Sequence, residues 1–214
     1  MPSIEEPQQI HSVSVRSLVE FTLQEGDLTP GSFQKPGRAQ AGTQGHKKVQ
    51  RSRPESYQSE VEVAFRVAEE ELPLEIRGRI DGLYATRKPV VIEEIKTTTL
   101  ALDLVSENHN PLHWGQAKCY AYIFSKQENL SEIRIHLTYY QLDSQTEKTF
   151  EQDYTLPELE VFFNELITPY LIWFRKVRER RLQRDQTIDE FDFPYVDYRP
   201  GQRDMAVAVY KAIR

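Results

Sequence analysis

Cysteine is nearly absent: Cys119 is the only one in 214 residues. That excludes a disulfide framework, a Cys-rich zinc site and a complete iron–sulfur cluster within this chain. No apolar run is long enough to cross a bilayer. The opening residues, MPSIEEPQQIHS, lack a basic segment followed by a hydrophobic one, so no secretory signal is read there. No G-x-x-x-x-G-K-[ST] loop occurs. The nearest stretch, Gly37 to Thr43, lacks the lysine before Thr43 and follows no predicted strand. Positive charge is in deficit, with a formal net charge of −6. This argues against broad coating of nucleic acid but leaves room for a local basic groove. The expectation is a soluble globular protein in the cytoplasm, associated with the nucleoid, or in the nucleus of a eukaryote, with no membrane partner.

Hydrophobic periodicity then sets the elements. Residues 1–11 are Pro- and Gln-rich and are expected to be disordered. Ser12 or Ser14 caps a first helix carrying Val15, Leu18, Val19, Phe21 and Leu23. A second helix spans Ala39 to Gln50. Strands follow at Ser59–Glu70, Leu72–Tyr84 and from Val90 onward. Pro111 suits the first turn of a helix running from Leu112 to Lys126. Ile133–Leu142 and Lys148–Tyr154 form a hairpin. Thr155-x-x-Glu158 is a capping box opening a long helix with an apolar stripe, interrupted by Pro169. That helix ends in the basic run Arg175–Arg184, most simply a solvated helix end.

The stretch from Gly78 to Lys96 carries acids where a buried strand would not ordinarily want them. Ile80 and Leu83 flank Asp81, Arg87-Lys88-Pro89 makes a break, and Val90-Val91-Ile92 runs into Glu93-Glu94-Ile95-Lys96. Side chains alternate along a strand, so Glu94 and Lys96 share a face roughly 7 Å apart, and Glu93 points the other way. Burying charge costs several kcal/mol unless it is paired or metal-bound. A divalent cation would account for Asp81 and Glu94, whose hard oxygens suit Mg²⁺ or Mn²⁺. Lys96 beside them can orient or activate a water and offset charge on a phosphate. Alone, E-x-K is most often an ordinary solvent-facing pair.

Three further motifs lie around this one. GTQGHKKVQ places His46 after a Gly-rich helical turn, followed by Lys47, Lys48, Arg51 and Arg53. A lone His is usually structural, and the basic residues read either as a solvated face or as contacts to phosphates. HWGQAKCYAY places Gln116 and Tyr120 one helical turn apart. His109 and His113 share a spacing that would suit zinc, but Pro111 and the lack of a third ligand argue against it. Glu60 and Glu62 read as strand surface, with an outer supporting role for the cation open to either.

Taken in order, His46, Asp81, Glu94-x-Lys96 and Gln116-x-x-x-Tyr120 resemble the motifs of PD-(D/E)xK superfamily nucleases of the RecB type. The resemblance runs from about His46 to Tyr120 and implies an α/β fold with a restriction-endonuclease-like core, a central mixed sheet flanked by helices. It implies that His46, Asp81, Glu94 and the Ile95 carbonyl bind Mg²⁺ or Mn²⁺, the imidazole tilting preference toward Mn²⁺. Lys96 would place the attacking water, Gln116 would hold the lysine or a phosphate, and Tyr120 would contact the DNA strand. Lys47, Lys48 and Arg51 would add phosphate contacts. Relatives often carry four cysteines for an iron–sulfur staple, which this chain lacks. The implied activity is a metal-dependent deoxyribonuclease, an exonuclease on single-stranded DNA. The alternative is a catalytically inactive nucleic-acid-binding or docking module.

The last segment, FPYVDYRPGQRDMAVAVYKAIR, resembles the opening segment of DinG/XPD-like superfamily 2 helicases. Arg199 and Gln202 fall on that pattern, in which the glutamine reads adenine. The expected organisation is a nuclease domain over 12–184, a linker over 185–194, and the start of a truncated helicase domain over 195–214. That motor suggests DNA repair or end processing.

Overall fold

A computed structural model describes residues 10–25, 37–67, 73–189 and 199–213. The chain divides into two compact units, Met1–Trp173 and Phe174–Arg214. In the first, a six-stranded mixed sheet is flanked by helices, the α/β class expected. Its strands are β1 (His11–Ser14), β2 (Gln58–Val67), β3 (Leu74–Tyr84), β4 (Val91–Thr98), β5 (Glu132–Gln141) and β6 (Glu147–Thr155). The helices are α1 (Val15–Leu23), α2 (Arg38–Ser52), α3 (Pro111–Glu128) and, as far as Trp173, the first part of α4 (Leu156–Asp189). Strand order is β1-β3-β4-β5-β6, with β2 on the other edge of β3.

Pairing along β3 is divided between two neighbours. Its C-terminal end pairs antiparallel with β4, Gly82–Tyr84 against Glu93–Val91. Its N-terminal end pairs with parallel β1, Leu74–Arg77 against His11–Ser14. Because β2 occupies the opposite edge of β3 over its whole length, β1 and β4 must share one edge. Residues 78–81 are left between them, and from Glu94 onward β4 pairs with β5 alone. The two strands therefore part as a wedge with Asp81 and Glu94 at its vertex. The β2 ladder also skips one residue there: Glu60, opposite Asp81, has φ of 59°. A non-Gly residue in that region is uncommon and marks a local kink.

Helix α1 starts where expected, with Ser14 Oγ accepting from the Ser17 amide at 2.9 Å. Residues 1–9, expected to be disordered, lie outside the described residues, whereas His11 already belongs to β1, a strand the sequence pattern did not reveal. Helix α3 is capped by Asn110, whose Oδ1 accepts from Leu112 N, with Pro111 in the first turn. It is buried on most sides from Trp114 to Ser125 rather than along one stripe, because it packs against both α1 and the sheet. Tyr122 stacks on Phe163 of α4, ring centroids 4.2 Å apart.

Glu158 reaches back to the Thr155 amide and also accepts from its hydroxyl, which fixes the start of α4. The helix passes through Pro169, and Thr22 Oγ1 donates to the Leu166 carbonyl just before it. The sequence reading ends this helix at Arg184, but it continues to Asp189. The part of the expected linker over 185–189 is thus helical, and its remainder lies outside the described residues. In the second unit, α5 covers Gln202–Ile213.

Helix α2 packs on β4 and β5 at very short range. A Cβ on Gly45 would stand 2.7 Å from Thr97 and 3.2 Å from both Tyr140 and Leu142. Only hydrogen fits there, so the glycine sets the depth of the helix. Val49, one turn on, closes a small core with Ile95, Tyr140 and Leu142. This packing carries the next residue, His46, to the wedge.

Candidate active site

At the vertex, Asp81 is held by three groups. The Ile95 amide donates to its Oδ2 at 2.7 Å, a bond that stands in for the strand pairing lost there. His46 Nδ1 lies 3.4 Å from Oδ1. Gln50 Nε2 donates to the Asp81 carbonyl at 3.0 Å and to Glu60 Oε1 at 2.9 Å. Gln50 was not singled out in the sequence, whereas Glu60 was read there as strand surface with an outer supporting role left open. The signal available for Gln50 was its spacing, four residues after His46 on the same helix face.

Glu94 and Lys96 project from the α3 side of β4. Lys96 Nζ bonds Glu94 Oε1 at 2.7 Å and donates to Gln116 Oε1 at 2.9 Å. Gln116 Nε2 donates onward to the Tyr120 hydroxyl at 3.4 Å. Tyr120 is 5% exposed, with its ring and hydroxyl against Gly78, and it lines the cleft beside His46 and Asp81. Burial pushes the Glu94 carboxyl up to about 7, with Lys96 opposing and the Asp81 charge adding to the rise. For His46, burial disfavours the charged ring, but the bond to Asp81 and the charges of Asp81 and Glu94 outweigh it and raise its pKa.

Glu93 faces away, as the alternation requires. Arg53 Nη2 and Nε donate to its two oxygens at 2.6 and 3.1 Å, and Tyr57 and Thr138 hydroxyls donate at 2.9 and 2.7 Å. Arg53 also reaches Glu147 at 2.7 Å. Arg53 is therefore not one of the phosphate contacts grouped with Lys47 in the sequence reading: its guanidinium is spent on two carboxylates. Burial works against its charge, but the bonds to Glu93 and Glu147 prevail and raise its pKa.

The basic residues of α2 separate in space. Lys47 lines the cleft with Thr43, His46, Glu60, Arg79, Asp81 and Tyr120, enclosing about 340 Å³. Lys48 donates to Gln145 at 3.0 Å on the β5–β6 turn, and Arg51 is exposed. His113 does not meet a metal-ligand set; Asn110 donates to its Nε2 and its Nδ1 faces the Tyr139 hydroxyl. Arg199 and Gln202 lie in the second unit, where Gln202 Oε1 accepts from the Arg199 amide at 3.1 Å, a local cap on α5.

Among the described residues, no three His, Cys, Asp or Glu side chains close into a ligand set. The donor chemistry nevertheless fits a divalent cation. Among the described residues, Glu94 Oε2 is buried without a hydrogen-bond partner, a costly position for an oxygen unless a cation or proton meets it. Asp81 and the His46 imidazole add donors of the kind that hold Mg²⁺ or Mn²⁺.

No curated protein matches the sequence. Among solved structures, the crystal structure of SSO0001 is similar at 20% identity, covering 76% of this chain and 78% of that one, with a TM-score of 0.45. The family model described as the PD-(D/E)XK nuclease superfamily matches residues 12–200, taking in the whole wedge and every side chain around it. The chain belongs to the PD-(D/E)XK nuclease superfamily.

Proposed function

We propose that this chain is a metal-dependent deoxyribonuclease, an exonuclease acting on single-stranded DNA, with the wedge between β3 and β4 as its active site. The observation that carries the reading is the state of Glu94, whose Oε2 is buried without a hydrogen-bond partner while its Oε1 bonds the lysine two residues on. An ordinary surface Glu-Lys pair would leave both groups in water. Asp81, Glu94 and the Ile95 carbonyl, with His46, would hold Mg²⁺ or Mn²⁺. When bound, such a cation lowers the pKa of water and screens charge on phosphate oxygens.

The protein groups divide the remaining tasks. The Ile95 amide and Gln50 fix Asp81 from two directions. Gln116 fixes Lys96, whose ammonium is held between Gln116 and Glu94. From there Lys96 can orient an attacking water and offset charge gathering on a phosphodiester. Lys47 on the rim of the cleft, together with Lys48 and Arg51 on the same helix, would draw in phosphates. Arg199 and Gln202, by their resemblance to a helicase opening segment, support a place beside a helicase motor in DNA repair or end processing.

The test is direct. Purified protein is incubated with end-labelled single- and double-stranded DNA and Mn²⁺, Mg²⁺ or EDTA. Metal-dependent shortening of the single strand, lost with EDTA and in Lys96→Ala, is expected. Binding without cleavage in any metal would sink the catalytic reading and leave a binding module.

A further inference from the structure

We propose that Arg77 and Arg79 hold the phosphodiester backbone of the substrate strand in a trough continuous with the catalytic cleft. The proposal rests on the nuclease reading above. It concerns the face of β2 and β3 turned away from α3. Glu62, Ala64, Arg66, Arg77 and Arg79 are all exposed along it. A trough of about 670 Å³ runs along these residues, lined by Glu62, Ala64, Arg77 and Arg79 and reached also by Gln127 of α3, whose side chain donates to the Ala64 carbonyl at 2.9 Å.

Three features make it a track for a polyanion. First, it joins the active site: Arg79 borders both the trough and the cleft that holds His46 and Asp81. Second, its floor is bare. Ala64, which pairs with Arg77 across the strands, brings only a methyl group to this face, and Gly78 between the two arginines is turned to the other face, toward Tyr120 of α3. Backbone can therefore approach closely between the two arginines. Third, the cations are exposed, whereas the carboxylate on the same face of β3 that pairs with Arg66 and Arg77 is buried. The Arg77 and Arg79 side chains are 66% and 61% exposed. Glu75, which accepts from Arg66 and Arg77, is only 7% exposed in its side chain.

Arg77 and Arg79 are alternate residues on one strand, so they share a face about 7 Å apart. That is a reach comparable to the step between phosphates along an extended strand. Arg79 is paired with Glu60 at 3.2 Å. Glu60 keeps its bond from Gln50, so Arg79 can turn to a phosphate without leaving that carboxylate unpartnered. Two guanidinium forks on one side of the reaction centre and Lys47 on the other would straddle the scissile bond.

The test reads salt dependence. Binding of fluorescent single-stranded and duplex oligonucleotides is measured in EDTA over a range of salt, and cleavage is measured separately with Mn²⁺. Arg77→Ala/Arg79→Ala should bind single strand about 10-fold more weakly, with the log–log salt slope shallower by about 1.4, roughly 0.7 for each lost phosphate contact. Arg77→Lys/Arg79→Lys should restore the slope, because an ammonium still neutralises a phosphate. Ala64→Glu, an exposed change that leaves both arginines intact, should weaken binding as well. Parental slope and affinity in the double alanine variant, or no effect of Ala64→Glu, would overturn the trough. If the parent cleaves DNA while that result holds, only the trough falls. If the parent neither cleaves nor binds either oligonucleotide, the nuclease reading falls with it.

Discussion

The Ile95 amide donates to Asp81 Oδ2 at 2.7 Å where β3 and β4 separate. One backbone donor thereby ties the aspartate of one strand to the strand that carries Glu94 and Lys96. The acid is fixed by the fold itself, and the same donor is freed for it because the ladder ends at Gly82 and Glu93.

Asp81→Asn keeps an oxygen for that amide and should fold normally. It removes the negative charge facing His46. Metal-dependent cleavage should fall by roughly 10²–10³, the size of effect seen when one preorganised electrostatic group is lost. Initial rates with Mn²⁺ check it, and a rate within about threefold of the parent would contradict the role of Asp81.

Gln116→Ala leaves Lys96 without its amide partner. The lysine would then sample more positions around Glu94. Single-turnover cleavage should slow by about 10-fold, with KM and the melting temperature little changed. A change in KM alone would instead mark Gln116 as a substrate-binding group.

Arg53→Ala strips Glu93 of its cation while leaving the carboxylate 1% exposed in its side chain. Breaking a buried pair in this way costs about 3–5 kcal/mol. For a chain of this size the melting temperature should drop by roughly 10 °C. Adding Glu93→Gln should recover part of the loss, since the neutral amide needs no counter-charge. No recovery would mean that Arg53 acts through Glu147 or packing.

His113 gives a pH dependence. Burial holds its pKa down to about 3, with the Lys96 charge adding to the effect. An unfolded chain protonates it near 6.5. Between those values the unfolded state binds the extra proton, so stability is full above pH 6.5 and declines as pH falls toward 3. His113→Gln should flatten this limb of a melting-temperature profile by removing the proton. An unchanged acid limb would assign the loss to other groups.

Alternation along β4 was legible in the sequence, and with it the opposite destinations of Glu93 and Glu94. Parity along a strand is a local property, fixed by backbone geometry. A cap at Ser12 or Ser14 and the Pro111 start were readable for the same reason, since each involves neighbours within one turn. Four spaced motifs, from His46 to Tyr120, were enough to point to the superfamily.

What the sequence could not show is how β3 is shared. The short strand His11–Ser14 pairs with residues some sixty positions away, and nothing in its four residues announces that partner. This long-range pairing, with the skip at Glu60, opens the wedge that gives Asp81 and Glu94 a common vertex. It also turns Arg53 from a surface cation into the buried counter-charge of Glu93, and brings Gln50 onto Asp81. Local sequence therefore settled which side chains each strand and helix carries, and on which face. Only the folded sheet decided which of them meet, because such meetings depend on pairings between distant segments that no single segment encodes.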